Sequence, residues 1–271
     1  MFSRSVSIRL ALWLGSALLC AGARAQPPPG LDYSLDIPAQ LGELTLAPAD
    51  ALHDDFALPE QLRRVVPSGL RSLQGPNLIA LATAVNGAGS EQRWFAFDVW
   101  VQLPSGARVR PGQPFRCLDD ACDNSDLFAL PRLPQGTVLD AFAIDPATGD
   151  ALFSLDSDAA IDGMVFRPSD VVRYAGDTYS LALGGAALPA AGLDAIDLLD
   201  DGRWLLGFDT DGMVAGTAFA DDDVLAYDPA DATWSLFYAP RARSAAIAAA
   251  HVDALAVARD LSDRIFANGF Q

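Results

Sequence analysis

The stretch Leu193–Gly212 reads LDAIDLLDDGRWLLGFDTDG, and Leu139–Asp158 reads LDAFAIDPATGDALFSLDSD. Both open on Leu-Asp-Ala, cross a turn rich in Asp and Gly, and end on a pair of acids. Read onward, the two stay in step. Gly149 falls on Gly202, Asp156 on Asp209, Asp158 on Asp211, Gly163 on Gly216 and Phe166 on Phe219. Asp170 then falls on Asp223, Tyr174 on Tyr227, and Tyr179-Ser180-Leu181 on Trp234-Ser235-Leu236. The small insertions needed lie at PATGD and DPADAT, both turn sequences. A repeat of about fifty residues marks a solenoid, a propeller or an array.

The repeat runs outward in both directions. VRPGQPFRC (Val109–Cys117) follows FRPSDVVRY (Phe166–Tyr174), Gly106 falls on Gly163, and RWFAFD (Arg93–Asp98) resembles RWLLGFD (Arg203–Asp209). LIALATAV, from Leu78, is then that unit's first strand. Downstream, HVDALAVA (His251–Ala258) echoes LDAIDLL, and RIFANGF (Arg264–Phe270) echoes the second strand. The units span about residues 76–133, 138–185 and 192–240, with a partial unit at 251–271.

Each unit holds four short apolar runs; in the best copy these are LDAIDLL, RWLLGFD, DVLAYDP and TWSLFYA. Such runs, rich in branched and aromatic residues and bounded by turn formers, read as strands. Four strands per repeat is what a β-propeller blade requires. The expected fold class is therefore all-β, a propeller-like domain of four or five four-stranded blades. A half-unit at the end would leave an open strand edge, which an N-terminal strand near residues 31–38 can close. Tyr33-Ser34-Leu35 there matches Tyr179-Ser180-Leu181, the last strand of another unit. Residues 45–75 leave the blade count open between an insertion, a degenerate blade and a plug. Within them Phe56–Val66 is compatible with a short helix capped by Asp54 or Asp55. A β-sandwich is the competing architecture, and matched positions across three units argue against it. Over about residues 76–271 the chain resembles secreted bacterial repeat proteins of β-propeller type, through the pattern LDA…GFD…FxxxDVxxY…WSL. That resemblance implies the fold and brings no catalytic residue.

The first residues give an address. MFSRSVSIRLALWLGSALLCAGARAQ carries Arg4 and Arg9, an apolar run from Leu10 to Cys20, and Ala23-Arg24-Ala25. This is the layout of a secretory signal over residues 1–25, with the domain at 26–271. The run is too short to span a bilayer, and Leu19 disfavours a lipoprotein anchor on Cys20. Without that segment 15 Arg face 35 acids, a net charge of −20. Nucleic acid and anionic membrane are poor partners for such a chain. There is no Lys, and 32 of the acids are Asp against three Glu. Asp suits turns and also suits Ca²⁺. Cys117 and Cys122, in CLDDAC, read as a disulfide closing a tight surface loop. A redox pair is disfavoured because the spacing is not C-x-x-C. Zinc would need ligands beyond His53 and His251.

Two sets of acids could carry chemistry. Asp156 and Asp158 in one unit, with Asp209 and Asp211 in the next, could offer hard oxygens to Ca²⁺. They lack the EF-hand spacing, and the alternative is that they end strands and bond turn backbone. Asp140, Asp194 and Asp253 each open a unit ahead of Ala, while the upstream unit has Ile79. If their strands line a central channel they form a carboxylate ring, self-repelling unless relieved by a cation, an Arg or raised pKa values. Alternatively each caps a turn between blades. No G-x-S-x-G elbow, phosphate loop or H-E-x-x-H motif occurs. Trp94, Trp204 and Trp234 recur at strand positions and read as blade core. The expectation is an exported binding or scaffold module for a protein or carbohydrate ligand. The alternative is a Ca²⁺-dependent hydrolase or lyase with a carboxylate site at the propeller mouth, since propellers host both classes.

Overall fold

In the computed structural model the described residues are 30–56, 62–66, 70, 75–85, 91–118, 121–184 and 187–259. The signal-like segment and RIFANGF lie outside them.

The first blade opens with β1 (Gly30–Leu35), followed by a hairpin of β2 (Ala39–Leu41) and β3 (Leu44–Leu46), then β4 (Ala51–Asp55) and β5 (Leu62–Arg64). The second holds β6 (Leu78–Val85), β7 (Glu91–Phe97), the hairpin β8 (Val101–Gln102) and β9 (Arg108–Val109), β10 (Phe115–Leu118) and β11 (Ala121–Leu127). The third holds β12 (Leu139–Ile144), β13 (Ala151–Leu155), the hairpin β14 (Ala159–Ile161) and β15 (Met164–Phe166), β16 (Val171–Ala175) and β17 (Thr178–Leu183). The fourth repeats this in β18 (Leu193–Leu198), β19 (Trp204–Phe208), β20 (Gly212–Val214), β21 (Thr217–Phe219), β22 (Val224–Asp228) and β23 (Thr233–Tyr238). Last comes β24 (Val252–Ala258), which pairs antiparallel with β1 and supplies the first blade's inner strand.

Among the described residues the result is four four-stranded sheets, β24-β1-β4-β5, β6-β7-β10-β11, β12-β13-β16-β17 and β18-β19-β22-β23. Inner strand β6 packs on β12, β12 on β18, β18 on β24 and β24 on β6, so the ring closes after four blades. The protein is a four-bladed β-propeller.

Composition follows position in the ring. The inner strands are buried on both faces and read as continuous apolar runs, with Ala80, Ala82, Ala141, Ala143, Ala195, Ala254 and Ala256 where four strands crowd the axis. Small side chains there and larger ones outward fit the taper of a blade. Each of four apolar clusters fills the gap between two neighbouring blades. Trp94 and Trp204 are buried in them, and Trp234 packs against one. Burial of each large side chain contributes about 1.5–3 kcal/mol, so the clusters, more than the strand ladders, fasten blade to blade.

Several expectations need correction. Tyr33-Ser34-Leu35 lies in the second strand of its blade, not the last: β1 sits between β24 and β4. Within residues 45–75, β4 and β5 complete the first blade, so no fifth blade is needed; residues 57–61, 67–69 and 71–74 lie outside the described residues. Of the helix expected over Phe56–Val66, residues 57–61 lie outside the described residues, while Leu62–Arg64 pairs with Leu52–Asp54 as an edge strand. The disulfide joins Cys117 to Cys122 as expected. However, both cysteines are buried in the cluster between the first and second blades, so the bridge is part of that core and not a surface clasp.

Candidate functional site

The four inner strands start together at one end of the ring. Leu78, Leu139, Leu193 and Val252 open them, each buried and paired with the end of its blade's second strand. Immediately afterwards the register slips in every blade. Leu78 pairs with Phe97 and Ala80 with Ala96, leaving Ile79 unpaired. Leu193 pairs with Phe208 and Ala195 with Gly207, leaving Asp194 unpaired. Asp253 is skipped between Val252 and Ala254, and Asp140 lies in the slip between Leu139 and Phe142. A bulge re-aims the side chain it carries. In three blades the residue it carries is Asp140, Asp194 or Asp253; in the second it is Ile79, which stays in the core between the second and third blades.

The three acids act on one another. Asp140 and Asp194 share a side-chain hydrogen bond, and each feels the charge of further members of the group. Burial, reinforced by Asp140, Asp253 and Asp209, pushes the Asp194 carboxyl up to about 9. Burial and the charges of Asp156 and Asp209 push Asp140 up to about 6. Both carboxyls of the pair are therefore held more protonated than free Asp, by burial first and by neighbouring acids second. Asp253 is pushed up to about 7 by burial and opposed by the Asn77 side chain, which donates to it. Asp140, Asp194 and Asp253 thus form one electrostatic group, with Asn77 beside Asp253.

The repeated strand-end acids do a different job. Asp36, Asp98, Asp156 and Asp209 each follow a second strand, and each carboxylate accepts the backbone N–H of the residue just before the inner strand: His251 at 2.7 Å, Asn77 at 2.8 Å, Val138 at 3.1 Å and Gly192 at 3.1 Å. The backbone bond runs back in every blade, from the acid's N–H to the same residue's carbonyl. Four copies of this two-way bridge hold the mouth in shape. Asp211 accepts the N–H of Asp221, and Asp158 is exposed beyond its strand. Asp156 and Asp209 each give one carboxylate oxygen to backbone, and among the described residues no three of His, Cys, Asp or Glu are grouped so as to hold a metal ion.

Neither histidine joins the ring. His53 is buried, its Nδ1 2.6 Å from Asp32 Oδ1 on the neighbouring strand; His251 Nε2 lies 3.0 Å from Asp221. The far end of the inner strands is filled by Arg259, whose guanidinium bonds Asp197, Asp200 and the carbonyls of Thr83 and Leu198. Sequence reasoning missed Asn77, Asp36 and Asp98. The signal for the two acids was present in SLD, AFD, SLD and GFD, four strand ends that close on Asp; Asn77 had none.

No protein-family model and no curated protein matches the chain. Among solved structures it is similar to a protein of unknown function from Bacteroides caccae, at 13% identity and a TM-score of 0.29, covering 78% of this chain and 57% of that one. It is also similar to the structure described as YCF48 bound to D1 peptide, at 10% identity and a TM-score of 0.32, covering 80% and 72%. A third is the extracellular domain of a putative one component system from B. thetaiotaomicron, at 8% identity and a TM-score of 0.31, covering 76% and 28%. This chain thus spans little more than half of the first and about a quarter of the third. The four-bladed architecture stands on the strand order alone. No helix among the described residues is long and apolar enough to cross a membrane.

Proposed function

We propose that this protein is an exported propeller module that binds its ligand through a cationic group received at the Asp140–Asp194–Asp253 mouth. The observation that carries the reading is that three carboxyls, each at the register slip that opens an inner strand, lie within electrostatic reach of one another. Fully ionised, such a ring repels itself. A ligand cation removes the repulsion and displaces the protons, so binding is favoured at higher pH. Export is supported by the N-terminal charged and apolar segment with its A-x-A site, and by the disulfide. The binding reading is preferred because the Asp140–Asp194–Asp253 group needs only a cation to relieve its repulsion.

The test is calorimetric titration of residues 26–271 with spermidine at mildly alkaline pH, in two buffers of different ionisation heat. Binding should release protons, and D140N/D194N/D253N should abolish it. At a hundred times its Kd the ligand should also raise unfolding stability by about 2.7 kcal/mol. Equal heats for both proteins would overturn the reading. A thermal shift given by Ca²⁺, but by neither Mg²⁺ nor spermidine, would restore the calcium reading in its place.

A further inference from the structure

Each blade carries a short hairpin between its second and third strands: β2–β3, β8–β9, β14–β15 and β20–β21. Because the second strand ends beside the start of the inner strand, all four hairpins rise on the same face as the acidic mouth. Their inward positions are apolar for an ordinary reason. Leu46, Val109, Phe166 and Phe219 are buried in the blade clusters. The outward positions of a half-exposed ribbon are ordinarily polar.

Here they are not. Large exposed apolar side chains occur on this face in every blade: Ile37, Val99 and Trp100, Met164 and Val165, and Met213. Trp100, Val165 and Met213 are 59%, 66% and 67% exposed, so folding gains little from them. The other large exposed apolar side chains among the described residues, Leu127, Leu181 and Leu236, lie on outermost strands, where each blade has its solvent edge. A ring of apolar knobs therefore surrounds a carboxylate mouth, with exposed Asp98, Asp156, Asp158, Asp209 and Asp211 between them. The face already shows how it takes a guanidinium: Arg108 lies over the Trp100 ring at 5.0 Å.

Apolar rim and acidic centre together call for a partner with both features. We propose that this face docks a basic peptide segment in which Arg or Lys alternates with bulky apolar residues. The apolar side chains seat on the hairpin crown, and a basic side chain enters the mouth. The proposal rests on the reading of the mouth given above and adds the class of ligand. Apolar contact supplies the affinity, aromatic anchors foremost. The charge, at −17 over the whole chain, steers encounter and rejects acidic segments.

The experiment measures binding of three synthetic peptides to the full domain: Arg alternating with Leu, Arg with Ser, and Glu with Leu. Each is tested against the native protein, a crown variant (Trp100→Ser, Val165→Ser, Met213→Ser) and the mouth variant D140N/D194N/D253N. The Arg–Leu peptide should bind best, more weakly as salt rises. The crown variant should weaken it by roughly tenfold or more while leaving spermidine binding unchanged. Exposed positions make the crown variant safe for folding, which a thermal melt checks. Arg–Ser binding as well as Arg–Leu, or Glu–Leu equalling it, would overturn the proposal. Spermidine bound with no peptide bound would keep the mouth and remove the docking face. Arg–Leu binding that depends on crown and salt but not on the three Asn would keep the face and remove the mouth.

Discussion

At the scale of single residues the repeat uses Asp for three separate purposes. Asp36, Asp98, Asp156 and Asp209 lock strand ends; Asp50, Asp170 and Asp223 accept the N–H three residues back in the turn before the third strand; Asp140, Asp194 and Asp253 occupy bulges. One letter stands for all three, which is why the alignment showed recurrence without role. The hairpin turns show a position where the repeat is imperfect. In the third blade the two-residue turn is Asp162-Gly163, with φ of 52° and 84°; in the fourth it is Ala215-Gly216, with φ of 47° and 86°. Both residues of such a turn sit in the left-handed region, which Asn, Asp and Gly tolerate. Ala there carries about 1 kcal/mol of strain. Ala215→Asn should therefore stabilise the protein by roughly 0.5–1 kcal/mol, a rise in Tm of about 1–4 °C. An unchanged melting curve would mean that this turn does not hold the left-handed form in solution.

At the scale of the strand, one position on every second strand governs how closely blades approach. It is Ser34, Ala96, Ser154 and Gly207 in turn. Ser34 donates its hydroxyl to the carbonyl of Leu78 at 2.8 Å, and Ser154 to that of Leu193 at 2.6 Å, each on the next blade's inner strand. At Gly207 a Cβ would stand 3.0 Å from the Ala195 Cβ and 3.5 Å from the Val252 carbonyl oxygen. Gly207→Val should thus cost about 1–3 kcal/mol by overpacking, seen as a lower urea midpoint with an unchanged slope. Loss of less than half that range would show that the fourth and first blades can part locally. The same position explains what the sequence concealed. Tyr33-Ser34-Leu35 is identical to part of β17 in its side-chain types, yet Asp36 follows it as Asp156 follows Ser154-Leu155. A tripeptide match outweighed the acid that fixes the strand's place. The inner strands were legible because burial on both faces leaves an unbroken apolar run. The hairpins were not, since three-residue strands have no period to read, and the bulges depend on pairing that no single strand encodes.

At the scale of the whole molecule, ring closure joins the two ends of the domain through β24 and β1, and side chains reinforce it. Arg243 and the Tyr238 hydroxyl both donate to the fully buried Asp54, tying the fourth blade and the segment after it to the first. The ring gathers like charge at its mouth, and this couples folding to pH. Asp140, Asp253 and Asp194 titrate at about 6, 7 and 9 when folded, against about 3.9 for an unfolded Asp. The folded state therefore binds more protons across that interval, and stability must fall as pH rises through it. The contribution is complete below about pH 4 and is lost as the three groups ionise in turn, Asp194 last. Unfolding free energies of the native protein and of D140N/D194N/D253N, measured between about pH 5 and 9, isolate this effect, because every other charge is common to both. The native curve should fall more steeply and cross below the variant on the alkaline side. Spermidine should lift only the native curve, and most where the ring is ionised. Parallel curves without a crossing would mean that the three carboxyls are solvated independently and carry no coupled charge.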